Sequence, residues 1–98
     1  MITDSQIQEY SDKGAILLKK AFNIEWLSLL AEGIEKNRKN PGPHACKYTP
    51  DDKDGDFYDD YCNWQRFDEY RDFIFKSPAA EIAGRLTQSS EMRIFHEH

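Results

Sequence analysis

The longest amphipathic stretch of the chain runs from Ile24 to about Lys39 and predicts its principal helix. Asn23 is a favourable N-cap residue, and the basic residues at the other end suit the negative pole of the helix dipole. The segment Asn40–Pro43, Asn-Pro-Gly-Pro, then ends the helix. We expect the buried stripe of this helix to consist of Ile24, Leu27, Leu30, Ala31 and Ile34, widened by Trp26 and Leu29.

Three shorter helices are predicted around this one. Residues 4–12, 67–75 and 78–87 carry apolar side chains at helical spacing. Thr3 or Asp4 is a suitable N-cap for the first of them. Gly14 suits the left-handed position that ends a helix, and Pro78 suits the first helical turn. Between the principal helix and the third lies a long polar connection, rich in aspartate and interleaved with aromatic residues. Long connections of this kind are often functional lids or binding segments. Because this one carries aromatic residues, we expect it to fold back onto the body.

Alternating residues predict two strands. Ala15–Lys19 forms a short apolar run, and Met92–His98 places Ile94 and His96 on one face and Phe95 on the other. The sequence therefore predicts an α+β fold with about two to three short strands. We expect one incomplete domain over residues 1–98, with a helical region over 1–90 and a barrel-type strand over 91–98. An exposed strand edge would also allow a homodimer.

Composition narrows the class of protein. Hydrophobic residues make up 39% of the chain and charged residues 32%, which is typical of a soluble globular domain. The net charge of -5 argues against nucleic acid or an anionic membrane surface as a partner. The sequence has no signal-peptide pattern and no apolar run of membrane-spanning length. Two cysteines, Cys46 and Cys62, are expected to be free thiols in the cytoplasm, although a disulfide between them stays open.

The motifs that carry chemistry are few. The aspartates around Gly55 resemble a calcium loop, but Pro50 and Tyr61 occupy two of the positions where that loop needs carboxylates. His96 and His98 share one strand face, which is a route to a metal only if further ligands join them. No serine or cysteine lies in a nucleophile motif. We therefore assign no catalytic residue and no metal ligand to this chain.

Several segments resemble the N-terminal part of the phytanoyl-CoA dioxygenase family. The resemblance lies in the order of the elements and in the residues of five segments, which are Tyr10–Phe22, Ile24–Pro43, Tyr61–Trp64, Ser77–Ala83 and Arg93–His98. It implies a double-stranded β-helix, or jelly roll, with helices packed outside. It also implies hydroxylation of a small organic substrate with Fe(II), O₂ and 2-oxoglutarate.

The resemblance also implies where the chemistry lies. The family holds iron with a His-x-Asp motif and a distal histidine, and binds 2-oxoglutarate with an arginine. All of these are expected beyond the position of His98, so this chain alone should bind no cofactor and be inactive. His98 and Asn63 match positions that line the cosubstrate pocket of the family, and we predict them as cofactor-binding residues.

A second interpretation of the sequence does not depend on this family resemblance. The chain can instead be a self-contained small acidic α+β interaction module. Its aromatic loop and its C-terminal strand edge would then bind a partner or a second copy of the chain.

Overall fold

The computed structural model describes all residues from 1 to 98. Its regular elements are the helices α1 (Asp4–Lys13), α2 (Ile24–Lys39), α3 (Asp68–Lys76) and α4 (Ala79–Thr87) and the strands β1 (Cys46–Lys47) and β2 (Tyr58–Asp59). The two strands pair antiparallel, with Cys46 opposite Asp59. The α+β class is thus confirmed, whereas the jelly-roll architecture stays a prediction. No helix combines the length and hydrophobicity that a membrane span requires.

Local sequence signals set the helix ends. The Thr3 hydroxyl accepts a hydrogen bond from the Gln6 N–H at 3.2 Å while the Gln6 side chain accepts one from the Thr3 N–H at 2.9 Å, which is a complete capping box at the start of α1. Gly14 ends the same helix with φ of 75°. The Asn23 side chain accepts from the Trp26 N–H at 3.2 Å and so caps α2. These ends form as the sequence predicts because capping depends on neighbouring residues alone.

The buried face of α2 differs from the predicted one. Ile24, Leu27 and Ile34 are 67%, 52% and 50% exposed, whereas Gly33 and Asn37 are buried. The packed side is the adjacent one, where Gly33 comes close to α3 and Asn37 receives a hydrogen bond from it. Much of the predicted apolar stripe therefore remains uncovered on α2, and its half-buried members are Trp26, Leu29 and Leu30.

Charge also joins α2 to α3. Lys36 of α2 donates a hydrogen bond to the carboxylate of Glu69, whose residue is 8% exposed. This hydrogen bond lowers the pKa of the Glu69 carboxyl group. The carboxylate thus stays charged although it lies between two helices.

Both predicted strands are wrong. Ala15–Lys19 has no strand pairing, and residues 91–98 run without a turn or bend but join no sheet. In this last segment only the carbonyl oxygen of Glu97 takes part in a backbone hydrogen bond. Alternation alone cannot make a strand, because the backbone groups need a neighbouring strand to bond. The two observed strands lie instead in the long polar connection.

That connection folds back onto the body, as its aromatic residues predict. The Tyr48 N–H donates to the Phe57 carbonyl at 2.7 Å, which extends the short hairpin. The Arg38 guanidinium lies 5.0 Å from the centre of the Tyr58 ring and pairs with Asp56. A cation over an aromatic face and an ion pair thus tie the hairpin to the end of α2.

The fold leaves an unusual amount of surface uncovered. Its solvent-accessible area is 7552 Å², whereas a compact protein of 11.5 kDa exposes about 5,800 Å². The radius of gyration is 16.3 Å, against about 13 Å for a compact domain of this length. Ile2 is the one buried hydrophobic residue. The helices consequently present apolar faces that nothing in the chain covers.

At Gly33, α2 packs closely against α3, so a larger residue there should destabilise the fold. A Cβ atom at this position would lie 2.9 Å from the Tyr70 ring and 3.0 Å from the Glu69 Cβ. The ring cannot easily withdraw, since its hydroxyl donates to Asn37. We expect Gly33→Ala to lower the free energy of unfolding by about 1–2 kcal/mol, because overpacking outweighs the better helix propensity of alanine. Urea denaturation measures this difference.

Gly84 provides the matched control, since it is also a buried helical glycine. A Cβ atom there would meet the Ser89 carbonyl at 3.3 Å and the flexible Met92 side chain at 3.4 Å. Gly84→Ala should therefore leave stability unchanged or raise it by up to about 1 kcal/mol. Equal destabilisation by both substitutions would show that close helix packing at Gly33 is not the cause.

Candidate functional site

Asp60 is the hub of a buried polar cluster where α2 and its exit meet the end of the hairpin. Its carboxylate accepts hydrogen bonds from the Asn37 side chain at 3.0 Å, the Gly42 N–H at 2.7 Å and the Tyr61 N–H at 2.9 Å. Burial alone would raise the pKa of Asp60, but hydrogen bonds, led by that of Gly42, outweigh it and lower the pKa. Asp60 is therefore an ionised acceptor fixed in place.

Asn63, one of the two predicted cofactor-binding residues, is fully buried beside this cluster. Its amide donates to the Tyr61 carbonyl at 3.2 Å and accepts from the Arg66 guanidinium at 2.6 Å. The same guanidinium donates to the Asn40 carbonyl at 2.9 Å. The side chain of Asn63 thus faces protein on all sides, and its contact with a cosubstrate stays a prediction.

Glu97 holds the C-terminal segment against the segment that contains Asn63. Its carboxylate accepts hydrogen bonds from the N–H groups of Asn63 and Trp64, the latter at 3.1 Å. Its carbonyl oxygen accepts from the Cys62 N–H at 3.1 Å. Three consecutive backbone donors are therefore satisfied by one residue more than 30 positions away in the chain.

All three histidines of the chain gather around the ring of Tyr61. The imidazole of His44 stacks on that ring with 4.5 Å between centres, and the rings of His98 and His96 lie 5.4 and 5.9 Å away. His98 Nε2 is 2.9 Å from Asp59 Oδ2, and its side chain is 58% exposed. The structure thus places His98 on the surface beside Asp59 and Tyr61, and its role as a cofactor-binding residue stays a prediction.

The donor atoms of this site do not fit an iron centre. Nowhere in the chain do three or more histidine, cysteine, aspartate or glutamate side chains come together as a metal would require. The rings of His96 and His98 are 6.4 Å apart between centres, and His98 is already bonded to Asp59. A facial triad needs two histidines and a carboxylate on one side of the metal. The site can anchor and position groups, but its own residues do not assemble that triad.

The sequence pointed to Asn63 and His98 but missed Asp60 and Asn37, which bond each other in the polar cluster, and Glu97, which binds the Asn63 N–H. A single acidic residue in an acidic loop carries no local signal, and its partners lie 18 and 23 positions earlier in the chain. Asn37 alone offered a sequence signal, because it is a polar residue one turn after Gly33 on the same side of α2. Comparisons with family models, with curated proteins and with solved structures found no match to this chain.

Proposed function

We propose that the chain is the helical N-terminal portion of a non-haem Fe(II)/2-oxoglutarate-dependent dioxygenase that hydroxylates a small organic substrate. In that enzyme it forms part of the structure around the active site and supplies none of the iron ligands. The observation that carries this proposal is the uncovered surface of the fold, about 1,700 Å² more than a compact chain of this mass exposes. The sequence resemblance to the phytanoyl-CoA dioxygenase family implies that a jelly roll would cover this surface.

The size of this surface favours a permanent cover. A standard protein–protein interface buries about 800 Å² on each partner, so the excess is roughly twice that. It is also apolar, with Phe95 91% and Phe75 63% exposed. Between α3, α4 and the C-terminal segment lies an apolar cavity of about 280 Å³ lined by Phe73, Ile74 and Ile94 among others. Surfaces of this area and composition resemble a domain core that has been opened.

The polar cluster then has a positioning role. Glu97 fixes the backbone at Asn63 and Trp64, and Asp59 bonds the imidazole of His98. In the proposed enzyme His98 lines the 2-oxoglutarate pocket, and Fe(II) is held by residues outside this chain. The resemblance also places Asn63 at that pocket, where its buried amide would have to exchange a bond to Tyr61 or Arg66 for one to the cosubstrate. Iron and 2-oxoglutarate together would supply the oxidising chemistry.

The test begins with the coding DNA that follows the His98 codon. We expect an open frame with a His-x-Asp motif, and the extended protein should decarboxylate 2-oxoglutarate with Fe(II), whereas the 98-residue chain should not. In the extended protein His98→Ala should raise KM for 2-oxoglutarate about tenfold, and the exposed Lys53→Ala should leave it unchanged. Iron-dependent turnover by the 98 residues alone, or an open frame without the motif, would contradict the proposal.

A homodimeric interaction module is the second candidate, favoured by the free backbone of residues 91–98. Only one backbone group of this segment is bonded within the chain, so the others can pair with a second copy. Light scattering at rising concentration would then show a dimer that Ile94→Lys disrupts and Lys53→Glu does not. A monomer at all concentrations would rule this candidate out.

A further inference from the structure

A cavity of about 410 Å³ lies between the N-terminal residues, residues 18–21 and α4, away from the polar cluster. Its apolar lining includes Ile2, which is 7% exposed, and the half-buried Leu18 and Ile82. Small-molecule sites typically enclose about 300–1,000 Å³. The cavity is therefore large enough for a short alkyl chain or one aromatic ring.

Three basic residues border this cavity, namely Lys19, Lys20 and Arg85. None of them makes an ion pair, although the chain as a whole is acidic. Arg85 is half-buried, and its guanidinium donates no hydrogen bond to the protein. A guanidinium has five donors in a fork that matches an oxyanion, so these donors are available to a ligand.

Glu81 is the one acidic residue on the lining, four positions before Arg85 on α4. A glutamate and an arginine at this spacing often form an ion pair, but this pair is not made. Both residues also border a second, more open depression between α4 and residues 88–92. With three cations against one carboxylate, the rim of the cavity keeps a net positive charge.

The backbone at Lys20 places two of these cations side by side. Lys20 has φ of 58°, in the left-handed region that residues other than glycine, asparagine and aspartate seldom adopt. Such conformations cost about 1–3 kcal/mol and recur at ligand sites. The turn at residues 19–20 thus holds both lysines at the rim while Leu18 and Ala21 line the same cavity.

We propose that this cavity binds a small amphipathic oxyanion, a carboxylate or phosphate monoester with a short apolar tail. The tail occupies the space beside Ile2, Leu18 and Ile82, and the head group pairs with Lys20 and Arg85. Charge-assisted hydrogen bonds from lysine and arginine to an oxyanion are about twice as strong as neutral ones. This site is separate from the proposed oxygenase pocket, and neither proposal depends on the other.

Isothermal titration calorimetry with octyl phosphate and octanoate tests this assignment on the 98-residue chain. We expect one site for each, and much weaker binding of inorganic phosphate and of octanol, which lack the tail or the charge. Lys20→Gln/Arg85→Gln should weaken binding of octyl phosphate at least tenfold. The matched control is Lys39→Gln/Lys53→Gln, which removes two unpaired cations outside the cavity and should change affinity less than twofold.

Three results would overturn the proposal. Equal weakening by both double variants, with unchanged melting temperatures, would show that net charge rather than the cavity governs binding. Binding to phosphatidylglycerol vesicles without saturable binding of free octyl phosphate would assign the basic rim to a membrane surface instead.

Octyl phosphate should also shift amide signals of Leu18 and Ile82 in NMR spectra, and shifts confined to other residues would place the ligand elsewhere.

Discussion

Replacing Asp60 by alanine should lower the free energy of unfolding by about 3–5 kcal/mol, the largest loss that we expect from any single carboxylate of this chain. Asp60 is 9% exposed and accepts three hydrogen bonds, from Asn37, Gly42 and Tyr61. Alanine would leave these donors without an acceptor in a site that solvent barely reaches. Each unsatisfied buried group costs about 1–3 kcal/mol, and small domains have only about 5–15 kcal/mol in all.

Urea denaturation followed by circular dichroism measures the loss, and Asp51→Ala is the control. The Asp51 side chain is 97% exposed in the same acidic loop, so its removal should change stability by less than about 0.5 kcal/mol. The loss in free energy of unfolding for Asp60→Asn should lie between those of the two alanine variants. Asparagine keeps an acceptor but adds a donor that lacks a partner. If Asp60→Ala and Asp51→Ala destabilised the chain equally, the hydrogen bonds of Asp60 would contribute nothing to its stability.

The same carboxylate should make stability depend on pH. The folded state lowers the pKa of Asp60 below its ordinary value of 3.8, so the unfolded chain binds a proton there more readily than the folded chain does. The stabilisation is therefore fully present above the ordinary pKa and is lost as the pH falls through the folded pKa. The difference in stability between the natural chain and Asp60→Asn should accordingly shrink as the pH drops below about 4.

Sequence patterns predicted the elements of this fold better than its contacts. Thr3, Gly14 and Asn23 mark helix ends because capping involves only the next few residues. The buried side of α2 was predicted wrongly, since Leu27 and Ile34 look like core residues by spacing alone. Which of two apolar faces becomes buried depends on where α3 lies, and that information is not local.

The C-terminal segment is a second case in which local sequence does not determine the contacts. Its alternation suits a strand, yet no strand lies beside it. It is attached through the side chain and carbonyl of Glu97 and through the bond of His98 to Asp59. The bonds from Asn63 and Trp64 span 34 and 33 positions, so no window of sequence contains both ends. The family resemblance pointed to Asn63 and His98, whose contacts with a cosubstrate stay predictions, and no local pattern pointed to Glu97 or Asp60.

Gly42→Ala should lower the free energy of unfolding by about 3 kcal/mol, because the new methyl group would overlap Asn63. An added Cβ would collide with Asn63 Oδ1 and lie 3.0 Å from both Asn63 Cγ and Nδ2. The Asn63 side chain cannot move away, since it is fully buried and bonded to Arg66. The backbone of Gly42 is equally fixed, because its N–H donates to Asp60 at 2.7 Å. Overpacking of this kind costs about 1–3 kcal/mol, and loss of the hydrogen bond adds about 1 more.

A double-mutant cycle separates this clash from other effects of the substitution. Asn63→Ala removes the atoms that the new methyl group would strike, so Gly42→Ala should cost about 1–2 kcal/mol less in an Asn63→Ala background than in the natural chain. Gly55→Ala is the comparison for backbone conformation, since Gly55 has φ of 85° and an added Cβ would meet nothing within 4 Å. Its cost should stay the same in both backgrounds. Strict additivity of Gly42→Ala and Asn63→Ala would mean that the two residues do not touch, and the exit of α2 would then lie apart from Asn63.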